Sequence, residues 1–344
     1  MFYKSLLKPL LFQLNAESAH EAAIKVSDLT SNSTLFRKIA SDIYGFEHPS
    51  LEREFFGLKF PNPVGLAAGF DKNGVAPKAM QSLGFGFVEI GSITAKPSNG
   101  NPKPRAFRLP EDHSLINRMG LNNEGAEAVV NRLKNIRLDI PLGINIAKTN
   151  DMTIEGDDAL RDYLISYELA NTVADYITVN ISCPNTGEGK TFEDPSALKE
   201  LLETLKPQKE NRKPTLVKFS VDTPREALTE LLEICESFEI AGYVATNTSS
   251  GRDGLLHSPK QKIISIGNGG LSGRAIADQS TKVIGWIADV IQGSKPIIGV
   301  GGIDSPKAAW EKLDAGADLL QVYTGMVYEG PGLIQSIKKE LCDC

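Results

Sequence analysis

Cysteine, histidine and tryptophan are scarce in this 344-residue chain, with four, four and two copies. Cys183, Cys235, Cys342 and Cys344 are too few and too scattered for a disulfide framework. None of them pairs with another, or with His20, His48, His113 or His257, at zinc-site spacing, so a structural metal is not expected. Cys342 and Cys344 flank Asp343 and read as an inert tail rather than as ligands or a redox pair. Basic charge is also lacking: the formal net charge is −6 with no basic run, which argues against a nucleic-acid partner. No stretch reaches the roughly 18 apolar residues that a membrane span needs. The opening MFYKSLLKPLLFQLN has no A-x-A-like site and runs into a polar, helix-like segment. It does not read as a cleaved signal peptide, which makes the cell interior the default compartment.

A repeating unit is present. Short apolar runs end in polar or glycine-bearing tips: PNPVGLAAG (61–69), FGFVEIGS (85–92), PLGINIA (141–147), DYITVNIS (175–182), PTLVKFSV (214–221), AGYVATNT (241–248), KPIIGVGG (295–302) and ADLLQVYTG (317–325). Runs without polar alternation fit strands buried on both faces of a parallel sheet. Between them lie stretches with helical spacing, such as SALKELLETL (196–205). Eight such units over about 260 residues predict an α/β protein, a (β/α)8 TIM barrel, over a doubly wound sheet.

Residues 1–47 differ in character and predict an amphipathic helical extension, with the barrel over 48–344. Leu6, Leu7, Leu10, Leu11 and Leu14 recur at helical spacing, then Ala22, Ala23, Val26 and Leu29. Pro9 begins or kinks a helix, so two short helices are expected. They either cap the barrel or meet a membrane surface or an apolar ligand. The insertion 93–125 carries many turn formers beside Arg105, Arg108 and Arg118, as an ordered binding loop would. Residues 184–196 read as a lid over the same mouth.

Barrel active sites lie at the C-terminal strand ends. Here those ends collect Lys72, Ser92, Asn145, Asn180, Cys183, Lys218, Thr246, Asn247 and Thr248. Each has a plainer reading: asparagines satisfy turns, lysines snorkel, a lone cysteine is a small buried hydrophobe. Lys218 resists it, because an ammonium inside the apolar strand VKFSV is costly without an anion. GNGGLSG (267–273), GVGGI (299–303) and VYTGM (322–326) present backbone NH groups where barrels commonly hold phosphate. Neither a Rossmann nor a Walker pattern is present. With Lys218, these tips suggest a phosphorylated cofactor carrying an electron-accepting ring.

The stretches NPVGLAAGFDKNG, FVEIGSITAKP, PKPRAFRL, INRMGLNN, INIAKT, VNISCPNT, VATNT, GGLSG, IIGVGGI and VYTG occur in the order found in one family. From residue 3 to the C-terminus the chain resembles the dihydroorotate dehydrogenases, FMN enzymes of pyrimidine synthesis. The extension, FRLPED and INRMG resemble the membrane-associated, quinone-reducing class 2.

The resemblance implies FMN contacts at Ala68, Gly69, Lys72, Ser92, Asn145, Asn180, Lys218, Thr246, Gly273, Gly302, Tyr323 and Thr324. It implies dihydroorotate or orotate contacts at Lys72, Asn117, Arg118, Met119, Gly120, Leu121, Asn180, Asn185, Asn247 and Thr248. A lysine cation for a carboxylate, and amides for a ring of alternating donors and acceptors, make chemical sense. Cys183 falls on the catalytic base, with an ordinary pKa near 8.5 that supplies some thiolate near neutral pH. Arg108 and residues 1–47 fall on a quinone entrance. A peripheral place on the cytoplasmic side of the cell membrane follows, with the cytoplasm as alternative. No metal and no obligate second subunit are implied.

Two residues depart from class 2, which has serine at Cys183 and phenylalanine at Leu121; cysteine and leucine occur in soluble class 1 enzymes. A soluble acceptor such as fumarate therefore stays open. Another FMN barrel acting on a different dihydropyrimidine is a rival, but Lys72 and the asparagines favour a carboxylated ring. A tRNA dihydrouridine synthase would want basic charge that is missing. A non-enzymatic flavin-binding scaffold fits poorly with intact Lys72, Cys183, Asn185 and Lys218.

Overall fold

The computed structural model describes residues 3–182 and 192–342. An antiparallel hairpin of β1 (Arg53–Phe55) and β2 (Leu58–Phe60) precedes β3 (Val64–Leu66) and β4 (Phe87–Ile93). An excursion, β5 (Ala106–Leu109) and β6 (Ser114–Asn117), separates these from β7 (Leu142–Ile146), β8 (Tyr176–Asn180), β9 (Thr215–Phe219) and β10 (Gly242–Ala245). The last strands are β11 (Gly270–Gly273), β12 (Ile297–Val300) and β13 (Leu319–Val322). Eight of these, β3, β4, β7, β8, β9, β10, β12 and β13, close into a parallel barrel. This is the expected (β/α)8 architecture, and the doubly wound alternative falls.

Helices cover the barrel with apolar stripes. In Pro195–Leu205, Leu198, Leu201, Leu202 and Leu205 are fully buried at i, i+3, i+4 and i+7. Burial of each stabilises the fold by roughly 1.5–3 kcal/mol. The Asp194 carboxylate caps that helix, accepting from the Ala197 N–H at 3.1 Å.

The N-terminal end of the barrel is plugged by aromatics. A Cβ on Gly65 would lie 2.3 Å from the Phe87 ring, and one on Gly143 would lie 2.2 Å from Tyr176. Only glycine lets these rings cross the barrel floor, where Phe60 and the hairpin's Phe55 join them. The opposite end opens toward the N-terminal helices.

There the structure corrects one expectation. After a π-helical turn over Tyr3–Leu7, three α-helices form where two helices were expected: α1 (Lys8–Gln13), α2 (Ala16–Ser31) and α3 (Thr34–Tyr44). Pro9 sits harmlessly in the first turn of α1. The chain breaks at Leu14, after which the Asn15 side chain caps α2 by accepting from Ser18 N–H at 2.8 Å. The insertion 93–125 carries a short hairpin: β5 and β6 pair, and β11 adds to β6 from a point remote in sequence.

Candidate active site

The cavity of about 380 Å³ at the open barrel end is lined on one side by strand tips and on the other by α1 and α2. Ala68, Gly69, Lys72, Ser92, Arg108, Asn117, Met119, Gly120, Leu121, Lys218, Thr246, Asn247, Thr248, Gly273, Gly302, Tyr323 and Thr324 all line it. Asn145 and Asn180 stand directly behind. Arg118 turns away, donating to the carbonyls of Ile266 (2.5 Å) and Asn268 (3.0 Å) and stacking on Phe107. It fastens loops. Cys183 and Asn185 lie outside the described residues.

A buried carboxylate organises the polar tips. Glu89 in β4 is wholly inaccessible and accepts from Asn145 Nδ2 (2.9 Å), Tyr176 OH (3.2 Å), Thr178 Oγ1 (3.0 Å) and Gln321 Nε2 (2.8 Å). That fixes the Asn145 amide, whose oxygen accepts from Ser92 Oγ. Asn180 Nδ2 donates to the same hydroxyl at 3.3 Å, and Asn247 Nδ2 donates to Asn180 Oδ1 at 3.2 Å. Four strand tips are thereby locked in orientation with few polar groups left unpaired.

Two lysines face this cavity. The Lys218 ammonium makes no hydrogen bond among the described residues; burial pulls its pKa below the ordinary lysine value, opposed by the charge of Glu89. Lys72 donates to the Gly69 carbonyl at 2.8 Å. Burial, with the nearby Arg105 cation, brings its pKa down to about 8. At neutral pH it remains a cation poorly matched by protein anions, as an anion-binding group should be.

At the glycine tips, the N–H groups of Gly301 and Gly302 make no hydrogen bond among the described residues. Gly302 holds φ +77°, and a Cβ there would strike Ala277 at the start of helix Ala277–Ile291. Thr324 Oγ1 and Ser272 Oγ pair at 2.9 Å nearby. Unpaired amides, a helix start and hydroxyls form an anion cradle.

On the helical side, Arg108 donates to the carbonyls of Leu11 (3.1 Å) and Leu14 and lies over the Phe12 ring. His20 of α2 packs edge-on against Phe70 and stacks on Tyr323, with ring centroids 4.9 and 6.3 Å away. Burial, together with Lys72, pushes its pKa down to about 3, so the ring is neutral. Among the described residues no cluster of His, Cys, Asp or Glu is arranged to hold a metal.

Glu89, Gln321, His20 and the Glu17–Arg105 pair were missed in the sequence. A glutamate in an apolar strand, FVEIGS, was the one available signal, as informative in kind as Lys218.

The family model for dihydroorotate dehydrogenase matches residues 50–344. A dihydroorotate dehydrogenase (quinone) from Natronomonas pharaonis is 44% identical over 336 residues, covering 98% of this chain and 93% of that protein. One of the same name from Christiangramia forsetii is 42% identical over 344 residues, covering 99% of each. A crystal structure of DHODH from Eimeria tenella in complex with ferulenol superposes with a TM-score of 0.80 at 31% identity, covering 98% of this chain and 94% of that one.

Proposed function

The chain belongs to the dihydroorotate dehydrogenase family, on the side of its quinone-dependent class, and from that premise we propose that it oxidises (S)-dihydroorotate to orotate in pyrimidine biosynthesis and passes the electrons to a quinone. The observation that carries this reading is one cavity joining the lysine-bearing strand tips to the apolar faces of α1 and α2.

Flavin mononucleotide fits the donor set. The unpaired Gly301 and Gly302 amides, with Gly273, Tyr323 and Thr324, suit its phosphate. Ala68, Gly69, Lys72, Ser92, Asn145, Asn180, Lys218 and Thr246 suit its ring, with Lys218 as the cation beside it. When bound, it supplies the acceptor for the C6 hydride.

The chain's own residues do the rest. Lys72 meets the substrate carboxylate; Asn117, Asn247, Thr248 and the Met119–Leu121 backbone meet the ring, with Arg118 holding that loop from behind. Asn185 and Cys183 complete the substrate side. The Cys183 thiolate takes the C5 proton as the C6 hydride departs, and the C5–C6 double bond forms.

Residues 1–47 form the acceptor side and 48–344 the catalytic domain. Ten of the fourteen exposed large hydrophobic side chains among the described residues lie between Leu6 and Ile43. That concentration supports peripheral contact with the cytoplasmic face of the cell membrane, where a quinone dissolves. No helix among the described residues is long and apolar enough to cross a membrane.

Leu121 on the cavity wall, with Cys183, favours a second reading in which fumarate takes the electrons. Steady-state assay of the purified protein with dihydroorotate and either a short-chain ubiquinone or fumarate decides. Turnover with the quinone is expected; turnover with fumarate alone would reverse the assignment.

A further inference from the structure

Helix α2 carries Glu17 and His20 three residues apart, on one face. Both line the cavity, and Glu17 also reaches the 93–125 insertion. Its carboxylate, 6% exposed, accepts from Arg105 Nε at 3.0 Å and Nη2 at 2.8 Å, and Arg105 is equally buried. The third guanidinium nitrogen, Nη1, donates to the carbonyls of Asn99 (2.6 Å), Asn101 (2.9 Å) and Met119 (3.5 Å). Asn101 returns to the same strip, its N–H to Met119 O at 3.1 Å and its amide to Arg118 O at 3.0 Å. Arg105 is thus the node between α2 and the loop ending in Met119–Leu121.

That loop needs support. Gly120 holds φ +70° and Leu121, which has a side chain, holds φ +52°. A leucine in the left-handed region persists only where its surroundings over-determine it. Asn150 secures the Gly120 carbonyl at 2.9 Å; the Met119 carbonyl is held by the Asn101 N–H at 3.1 Å, and Arg105 reaches it at 3.5 Å while holding Asn101 itself at 2.9 Å. Two arms of the Arg105 fork have Glu17 as their acceptor, so the orientation of the fork is set from the N-terminal extension.

We propose that Glu17 is a positioning residue for substrate recognition: through Arg105 it fixes the Met119–Leu121 backbone, so the N-terminal extension builds the dihydroorotate site as well as the acceptor side. The inference rests on the functional reading above, in which that backbone meets the pyrimidine.

Glu17→Asp tests geometry at constant charge, because it withdraws the carboxylate by one methylene. Calorimetric titration of the flavin-loaded protein with orotate is expected to show about tenfold weaker binding, a usual size for coupling between neighbouring sites. KM for dihydroorotate should rise similarly, while flavin content and the limiting rate of flavin reduction stay within about twofold of the unaltered protein. Arg105→Lys keeps the charge but loses the fork and should weaken orotate to the same degree. The double variant should be no weaker than Arg105→Lys alone. Lys25→Gln, at an exposed position two turns further along α2, should change nothing. Unaltered orotate affinity in both Glu17→Asp and Arg105→Lys overturns the proposal. So does a loss of flavin or of limiting rate at unaltered affinity, which is what a merely structural pair would give. Absence of orotate binding in the unaltered protein would instead sink the functional reading, and this inference with it.

Discussion

Replacing Glu89 by glutamine should destabilise the protein and loosen its cofactor, although nothing of Glu89 reaches solvent or the cavity. Its two oxygens accept four hydrogen bonds, one at Oε1 from Asn145 and three at Oε2 from Tyr176, Thr178 and Gln321. A glutamine keeps one acceptor and brings an NH2 group. With the oxygen toward the three donors, its NH2 meets the Asn145 NH2. Relief requires the Asn145 amide to flip, which turns its NH2 on Ser92 Oγ and breaks the chain of orientations running to Asn180. Removing one member of a buried, charge-compensating network costs about 3–5 kcal/mol. Unfolding entropy of roughly 2.1 cal/mol/K per residue, over this chain, converts about 4 kcal/mol into a Tm drop of about 5–6 °C. Lys218 shifts too. Burial already lowers its pKa and Glu89 opposes that, so without Glu89 the ammonium deprotonates at lower pH. Flavin should therefore be lost from the alkaline side first. Scanning calorimetry, with flavin absorbance after gel filtration at pH 7 and pH 9, reads both effects. A Tm within about 1 °C of the unaltered protein and full flavin retention at pH 9 would refute the reasoning.

Other substitutions probe separate parts of the site. Cys183→Ala is expected to abolish reduction of bound flavin by dihydroorotate while the flavin stays bound; reduction at the normal rate would remove the thiol from the mechanism. Orotate affinity should be flat at neutral pH and fall toward tenfold per pH unit above about 8, because Lys72 binds the carboxylate only while protonated and its pKa lies near 8. Titrations from pH 6 to 10 that show no alkaline limb would take Lys72 out of carboxylate binding. Arg108→Ala should slow quinone-driven reoxidation at least tenfold and leave flavin reduction alone, since its guanidinium holds the C-terminal end of α1; equal effects on both half-reactions would count against a separate acceptor side.

The barrel was legible because its eight parallel strands are buried on both faces and carry no polar alternation to confuse with a helix. Lys218 announced itself for the same reason, as a charge in an apolar run. The β5–β6–β11 sheet was not legible. Its third strand is GLSG, without β-branched or aromatic residues, and pairs with a partner some 150 residues away. The break after Leu14 depends on Asn15 acting as a cap, which Pro9 nearby obscured. Glu17 looks like an ordinary surface charge in sequence and Arg105 like one of three arginines of a binding loop, and only the docking of α2 across that loop buries them together. The strand-tip asparagines could be named, but their order of hydrogen bonds depends on Glu89, which is level with Gly143 and so two residues deeper in the barrel than Asn145.

Anaerobic mixing of the purified, flavin-loaded protein with L-dihydroorotate, followed by addition of a short-chain ubiquinone or of fumarate, tests the central claim most directly. The account predicts bleaching of the flavin band on the first addition and its recovery with the quinone. Recovery with fumarate only would overturn the assigned acceptor, and a band that never bleaches would contradict dihydroorotate oxidation itself.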